Sequence, residues 1–217
     1  MLKLVADRLA VDRGGRQVFA ELSFSVLAGE ALLVRGPNGV GKSSLLRTIA
    51  GLVPAAEGTI RIERTGEEEA AEGIGARCHY FGHSDALKTP MTVAENLGFW
   101  RDFHGHPSVT VDQALDRVGL ADIAHLPAAY LSAGQRRRLS LSRLLVSHRP
   151  VWLLDEPTSA LDAASEQALI TIMQEHLASG GLIIAATHAD LPLDGARALW
   201  MQPGAGGDDP ADEEAFA

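Results

Sequence analysis

The chain has 217 residues, 46% of them apolar, and a formal net charge of −9, enough for one α/β domain with a substantial core but hardly for two. A 22% charged fraction without periodic glycine or proline excludes a disordered or fibrous chain. The negative charge opposes direct attachment to nucleic acid or to an anionic membrane face, because both are negative themselves. The longest apolar stretches, such as 182–187, fall far short of the roughly 20 residues of a membrane-crossing helix. The start, Met1-Leu2-Lys3-Leu4-Val5, lacks the pattern of a signal peptide. The expectation is a cytoplasmic protein, with any membrane contact running through another protein. Cys78 is the one cysteine, and its apolar context reads as a buried structural thiol.

In chain order, Leu2 to Val5, the alternating Phe24 and Val26, and Ala31 to Val34 read as strands, with turn signals at Arg13-Gly14-Gly15 and Ala28-Gly29-Glu30. Ser44 to Ala50 holds good helix formers and stops at Gly51. Thr59 to Glu63 is a further strand, and the acidic Gly66-Glu67-Glu68-Glu69 reads as a solvated turn. Thr92 and Glu95 have capping-box spacing before a helix carrying Leu97, Phe99 and Trp100, and a second helix runs from about Asp112 to Val118. Val151 to Leu154 is a short continuous apolar run, the pattern of a strand buried on both faces of a parallel sheet. Asp162 caps a helix with Leu169, Ile172, Met173 and Leu177 on one side, and Leu182 to Ala186 is another buried strand, giving a β-α-β order. Residues 204–217, with five acidic groups and no base, read as a mobile tail.

Gly36-Pro37-Asn38-Gly39-Val40-Gly41-Lys42-Ser43 fits G-x-x-x-x-G-K-[ST] between an expected strand and an expected helix, the context this phosphate loop requires. Its glycines let backbone N–H groups turn inward, and the following helix points its positive end at the same place. ATP phosphates would fill that nest, Lys42 would reach the β and γ phosphates, and the Ser43 hydroxyl would take one position on Mg²⁺. Ser44 joins the nucleotide-binding set. Later in the chain, Leu153-Leu154-Asp155-Glu156-Pro157 ends a buried strand with adjacent carboxylates that start on opposite sides of the backbone. Asp155 would hold Mg²⁺ through water, and Glu156 would polarise the water that attacks the γ phosphate. Leu131-Ser132-Ala133-Gly134-Gln135 reads equally as a plain capped helix start or as a second open, positive helix end suited to phosphate.

At this point the sequence resembles the ABC ATPase family, whose signature L-S-G-G-Q stands shortly before its D-E-P strand as Leu131 to Gln135 does here. Ser159-Ala160-Leu161-Asp162 is similar to the family's D-loop, and Ala186-Thr187-His188 to its switch histidine. The resemblance implies a P-loop NTPase of ABC type: a mixed α/β sheet core, an antiparallel β subdomain and a helical subdomain at about 84–149, all in one domain over residues 1–203. It implies a homodimer in which Ser132, Gly134 and Gln135 of one copy meet the γ phosphate on the loop of the other, with Asp162 at the seam. It makes His188, with Glu156 and Lys42, a catalytic residue. His83 stands where the family usually has a glutamine; it can meet water or Mg²⁺ and can be charged near neutral pH, which implies a pH-dependent coupling. Arg13 stands where the family places an adenine-stacking aromatic; a guanidinium can also stack on a base, and Phe19 is the other candidate.

The stretch between His83 and Leu131 is too short for the coiled-coil insertions of DNA-maintenance ATPases of this family, which leaves a transporter subunit. Tyr80 to Lys88, and alanine within Leu131 to Arg138, resemble the haem-exporter ATPases of cytochrome c biogenesis. That resemblance implies integral membrane transporter subunits as partners, a peripheral place on the cytoplasmic face of the inner membrane, no nucleic acid, and haem handled only indirectly. Without Cys-x-x-Cys-His, nothing here attaches haem. The ATPase of a different exporter, and a nucleotide-binding scaffold without turnover, are the alternatives; Glu156 and His188 together speak against the scaffold. Arg136 to Arg138 read as a solvated helix face or a partner surface.

Overall fold

A computed structural model describes residues 2–64, 67–69 and 73–202. In chain order, β1 (Leu2–Arg13), β2 (Arg16–Leu27) and β3 (Ala31–Arg35) lead into α1 (Lys42–Ile49), followed by β4 (Glu57–Arg64), β5 (Glu67–Glu69) and β6 (Cys78–Phe81). Helices α2 (Val93–His104), α3 (Val111–Arg117) and α4 (Ala133–Val146) come next, then β7 (Val151–Asp155), α5 (Ala163–Ala178), β8 (Leu182–Ala186) and β9 (Arg197–Trp200).

The first two strands are far longer than their apolar segments, because the Gly14-Gly15 turn joins them directly. Its φ angles of 60° and 79° are those of the two-residue hairpin turn that matches strand twist, and glycine adopts them freely. Antiparallel pairing continues through β4 and β5 in the order β2-β1-β4-β5. The solvated turn expected at 66–69 is corrected in part: Glu67, Glu68 and Glu69 pair with Arg64, Glu63 and Ile62, since a ladder already begun on β4 accepts any backbone at its edge. Gly66 and the acidic tail lie outside the described residues.

The second sheet is parallel, in the order β6-β7-β8-β3-β9, and its strands alternate between two apolar clusters. Leu32, Val34, Val151, Leu153, Leu182, Ile184 and Ala186 join α1 and the antiparallel sheet. Leu33, Trp152, Leu154, Ile183 and Ala185 join the helices α2 to α5. Continuous apolar runs were the sign of this double burial, and each strand of β7 and β8 is buried at every position. The α2, α3 and α5 starts carry side-chain caps: Thr92 and Thr110 each close a capping box with Glu95 and Gln113, and Asp162 accepts from the Ser165 N–H. β9 has no such signature; it is an edge strand with mostly exposed residues, held to β3 by backbone pairing.

Two histidines are buried in this scaffold. His176 stacks on Trp152 with ring centres 3.9 Å apart, and a Cβ at Gly181 would fall 2.2 Å from its Cε1, which is why glycine stands just before β8. His79 donates from Nε2 to the Ser147 carbonyl at 2.8 Å. Burial pushes the His176 pKa down to about 4 and the His79 pKa down to about 3. Burial likewise pushes the Cys78 thiol up to about 12, as a structural thiol requires. Both folded histidine pKa values lie below the unfolded value near 6.5, so their neutral form supports the fold fully above pH 6.5. That support is lost as pH falls towards 4 and then 3, because the unfolded chain binds protons that the folded one rejects. We expect thermal unfolding to move to lower temperature between pH 7 and pH 5, with His176 responsible for roughly 1–2 kcal/mol of the loss. His176→Phe, which keeps the stack, should show a shallower dependence in the same measurement.

Candidate active site

The loop between β3 and α1 threads between two fixed walls. A Cβ at Gly36, where φ is 143°, would sit 2.6 Å from the Met201 carbonyl oxygen, and one at Gly41, where φ is 103°, would sit 2.5 Å from Val18 Cγ1. Only glycine passes both points. Gly41 caps α1 without a side-chain hydrogen bond, so the first N–H groups of the helix are left for the loop's interior. Ser43 and Ser44 stand half-buried in that first turn.

Lys42 is 8% exposed, and its Nζ donates to the carbonyls of Gly36 at 2.8 Å and Pro37 at 2.9 Å. The same nitrogen lies 3.1 Å from His188 Nε2. His188 Nε2 is also 3.0 Å from Asn38 Oδ1 and 3.9 Å from Glu156 Oε1. One ring nitrogen is therefore the meeting point of the phosphate loop, the strand-end carboxylate and the segment after β8. That segment is pinned by the Thr187 N–H donating to the Val34 carbonyl at 3.3 Å, and by Arg35, which donates to the Thr187 carbonyl and pairs with Asp190 at 3.0 Å.

Asp155 closes β7 in register with Val151 and Leu153, on the α1 side of the sheet. It is 6% exposed, and its charge, after the Tyr80 hydroxyl, helps to raise the pKa of Arg47 on α1. Glu156 leaves the strand with φ of 45° and turns towards His188 instead. The Ser43 hydroxyl and the Asp155 carboxylate are hard oxygen donors of the kind Mg²⁺ takes. Among the described residues no group of three or more His, Cys, Asp or Glu could hold a metal, so an ion here would fill its shell with phosphate and water.

The signature residues sit elsewhere. Ser132 caps α4, its Oγ accepting from the Gln135 N–H at 3.2 Å while Gln135 Oε1 accepts from the Ser132 N–H at 2.8 Å. A Cβ at Gly134 would lie 3.6 Å from the Ala160 carbonyl, which places this helix end beside the turn before Asp162. Asp162 caps α5, and the Ser165 N–H holds its exposed carboxyl below the usual carboxylate value. His83 is exposed just past β6. Arg13 is exposed at the hairpin end, paired across the turn with Arg16. Phe19 is buried, its ring within 3.1 Å of the Cβ position at Gly41, which makes it a wall of the loop.

The arginine run is where the sequence reading needs correction. Arg136 and Arg138 bond the carbonyls of Leu131 and Val118, and Arg137 is 5% exposed, so the run is no solvated face. Three consecutive helical residues span about 200° of arc, and on a helix packed on most sides one of them must point inward. That was the available signal.

A family model described as ABC transporter matches residues 19–159. The "Cytochrome c biogenesis ATP-binding export protein CcmA" of Mesorhizobium japonicum is 52% identical over 90% of this chain and 96% of its own length. The protein of the same name from Bradyrhizobium diazoefficiens is 54% identical over 89% and 95%. Among solved structures, a putative ABC transporter ATP-binding protein from Pyrococcus furiosus superposes with a TM-score of 0.76 at 23% identity, covering 91% of this chain and 97% of that one. A bacterial Atm1-family ABC exporter with ATP bound gives a TM-score of 0.72 at 29% identity over 86% of this chain and 34% of that one. The chain therefore belongs to the ABC transporter ATP-binding family and, within it, groups with the cytochrome c biogenesis ATP-binding export proteins.

Proposed function

We propose that the chain is the ATP-hydrolysing subunit of a haem exporter of cytochrome c biogenesis. Two copies close over ATP and drive integral membrane subunits from the cytoplasmic face of the inner membrane. The observation that carries the ATPase reading is the meeting of Lys42, Asn38 and Glu156 at His188 Nε2; the export reading rests on the names of its relatives. No helix among the described residues is long and apolar enough to cross a membrane, so movement of a substrate falls to the partner subunits. We assign residues 1–203 to one ATPase domain with its helical subdomain at about 84–149.

In this reading the N–H groups of residues 38–43 take the phosphate oxygens, and Lys42 exchanges its two carbonyl partners for stronger, charge-assisted bonds to the β and γ phosphates. Ser43 would hold Mg²⁺ directly and Asp155 would hold it through water, and the ion would supply neutralisation of phosphate charge. Glu156 takes the proton of the attacking water, whose oxygen bonds the γ phosphorus as the bond to ADP breaks, and His188 holds the γ phosphate and that water. Ser132 and Gly134 of the second copy close the site. Arg13 at the open hairpin end is the group assigned to adenine, and His83 is assigned to water or Mg²⁺.

Glu156→Gln should bind ATP with parental affinity while kcat of the complex with its membrane subunits falls by roughly a hundredfold or more; unchanged turnover rejects Glu156 as the base. The same variant should leave its host without mature c-type cytochromes, and normal maturation would reject the export reading. Gly36→Ala must displace the Met201 backbone, whereas the Cβ of Gly39→Ala meets nothing within 4 Å and costs only about 1–2 kcal/mol of left-handed backbone strain. Nucleotide titration should therefore show binding lost in Gly36→Ala and largely kept in Gly39→Ala.

A further inference from the structure

Arg137 stands one turn into α4, just past the Ser132 cap, and only 6% of its side chain is exposed although it carries a charge. Its guanidinium crosses from the helix to the ends of β6 and β7. Nη1 donates to the Gly82 carbonyl at 3.1 Å, with a longer contact to that of His83 at 3.5 Å. Nη2 donates to the Glu156 carbonyl at 2.7 Å, with a longer contact to that of Asp155 at 3.4 Å. Its Cζ lies over the Phe81 ring, 4.0 Å from the ring centre, and the Asp85 carboxylate stands 3.7 Å from Nη1. Two rows of carbonyls and an aromatic face call for a planar fork, which lysine cannot supply.

The residue it grips most closely is the one that most needs holding. Glu156 has φ of 45°, a region that a residue with a Cβ keeps only when its surroundings impose it. Its N–H is tied to the Ala186 carbonyl on β8 at 2.8 Å, and its own carbonyl is tied to Arg137 on α4. The backbone of the proposed base is thus fixed from the core sheet on one side and from the signature helix on the other. The same guanidinium holds the turn at Gly82 and His83.

We infer that Arg137 is a positioning residue for hydrolysis, transmitting the seating of the signature helix to the backbone of Glu156 and to the His83 turn. The Glu156 carboxylate then aims at the attacking water only while α4 is seated. This rests on the reading of Glu156 as the base and adds the device that sets its aim.

The test compares Arg137→Lys, Asp85→Asn and Glu156→Gln, measuring ATP hydrolysis by the complex with its membrane subunits and ATP binding by the chain. Arg137→Lys should lower kcat by roughly tenfold or more, since a small misplacement of a reacting group is costly. Its KM and nucleotide affinity should stay within about twofold of the parent, because the phosphate loop is untouched. Asp85→Asn, which leaves the carbonyl contacts in place but frees the guanidinium to shift, should lower kcat about threefold with the same KM. It decides alone if Arg137→Lys does not fold. A purely structural arginine would lower kcat and binding capacity together, in proportion to the folded fraction; that result, or parental kcat in the variants that fold, overturns the inference. Undiminished turnover in Glu156→Gln overturns the reading beneath it. Turnover lost in Glu156→Gln but parental in the other variants overturns the positioning role alone.

Discussion

Parallel strands can be joined only by chain that leaves one end of the sheet and re-enters at the other. With β6, β7, β8, β3 and β9 parallel, the segments after β3, β6, β7 and β8 all emerge at the same edge. Both faces of the sheet are covered by apolar clusters, so a charged side chain in mid-strand would lose its water at a high cost. Chemistry is pushed to the strand ends: Asp155 is the last residue of β7, Glu156 the next, and His188 the second after β8. The phosphate loop lies between β3 and α1 on that edge. The same constraint that makes the core dry brings the reactive groups together.

Two of the cations nearest this edge are held by neutral dipoles. Lys42 rests on the carbonyls of Gly36 and Pro37, and Arg137 on those of Gly82 and Glu156. A carbonyl satisfies a buried ammonium without cancelling its charge, so Lys42 remains available to a polyanion, and exchanging a carbonyl for a phosphate oxygen improves its bond. The chain as a whole carries −9, so attraction for a nucleotide has to be this local, set by inward N–H groups and one ammonium.

Ser132 shows how one residue serves two readings that the sequence left side by side. Within the chain it is a plain cap, accepting from the Gln135 N–H. A hydroxyl that accepts still has its own hydrogen to donate, and Ser132 is exposed. A capped helix end can thus offer a donor to an anion brought by a second copy, and the capping box fixes the angle at which it does so.

What was legible from the residues alone is what depends on spacing along the chain. Capping boxes at Thr92 and Ser132, the Asp162 cap and the buried runs at 151–154 and 182–186 all appear where local pattern puts them. The phosphate loop is legible for the same reason, since its glycines and lysine must be contiguous to fold round one group. Partners remote in sequence were not legible. Glu67 to Glu69 became a strand because β4 offered an edge, β9 because β3 did, and Phe19 became a wall of the loop because β2 passes beneath Gly41. Arg137 looked like one charge among three until α4 was seen to lie against the ends of β6 and β7. Local sequence determines which conformations a segment prefers; which distant surface it meets is decided only when the apolar faces of the whole chain are buried together.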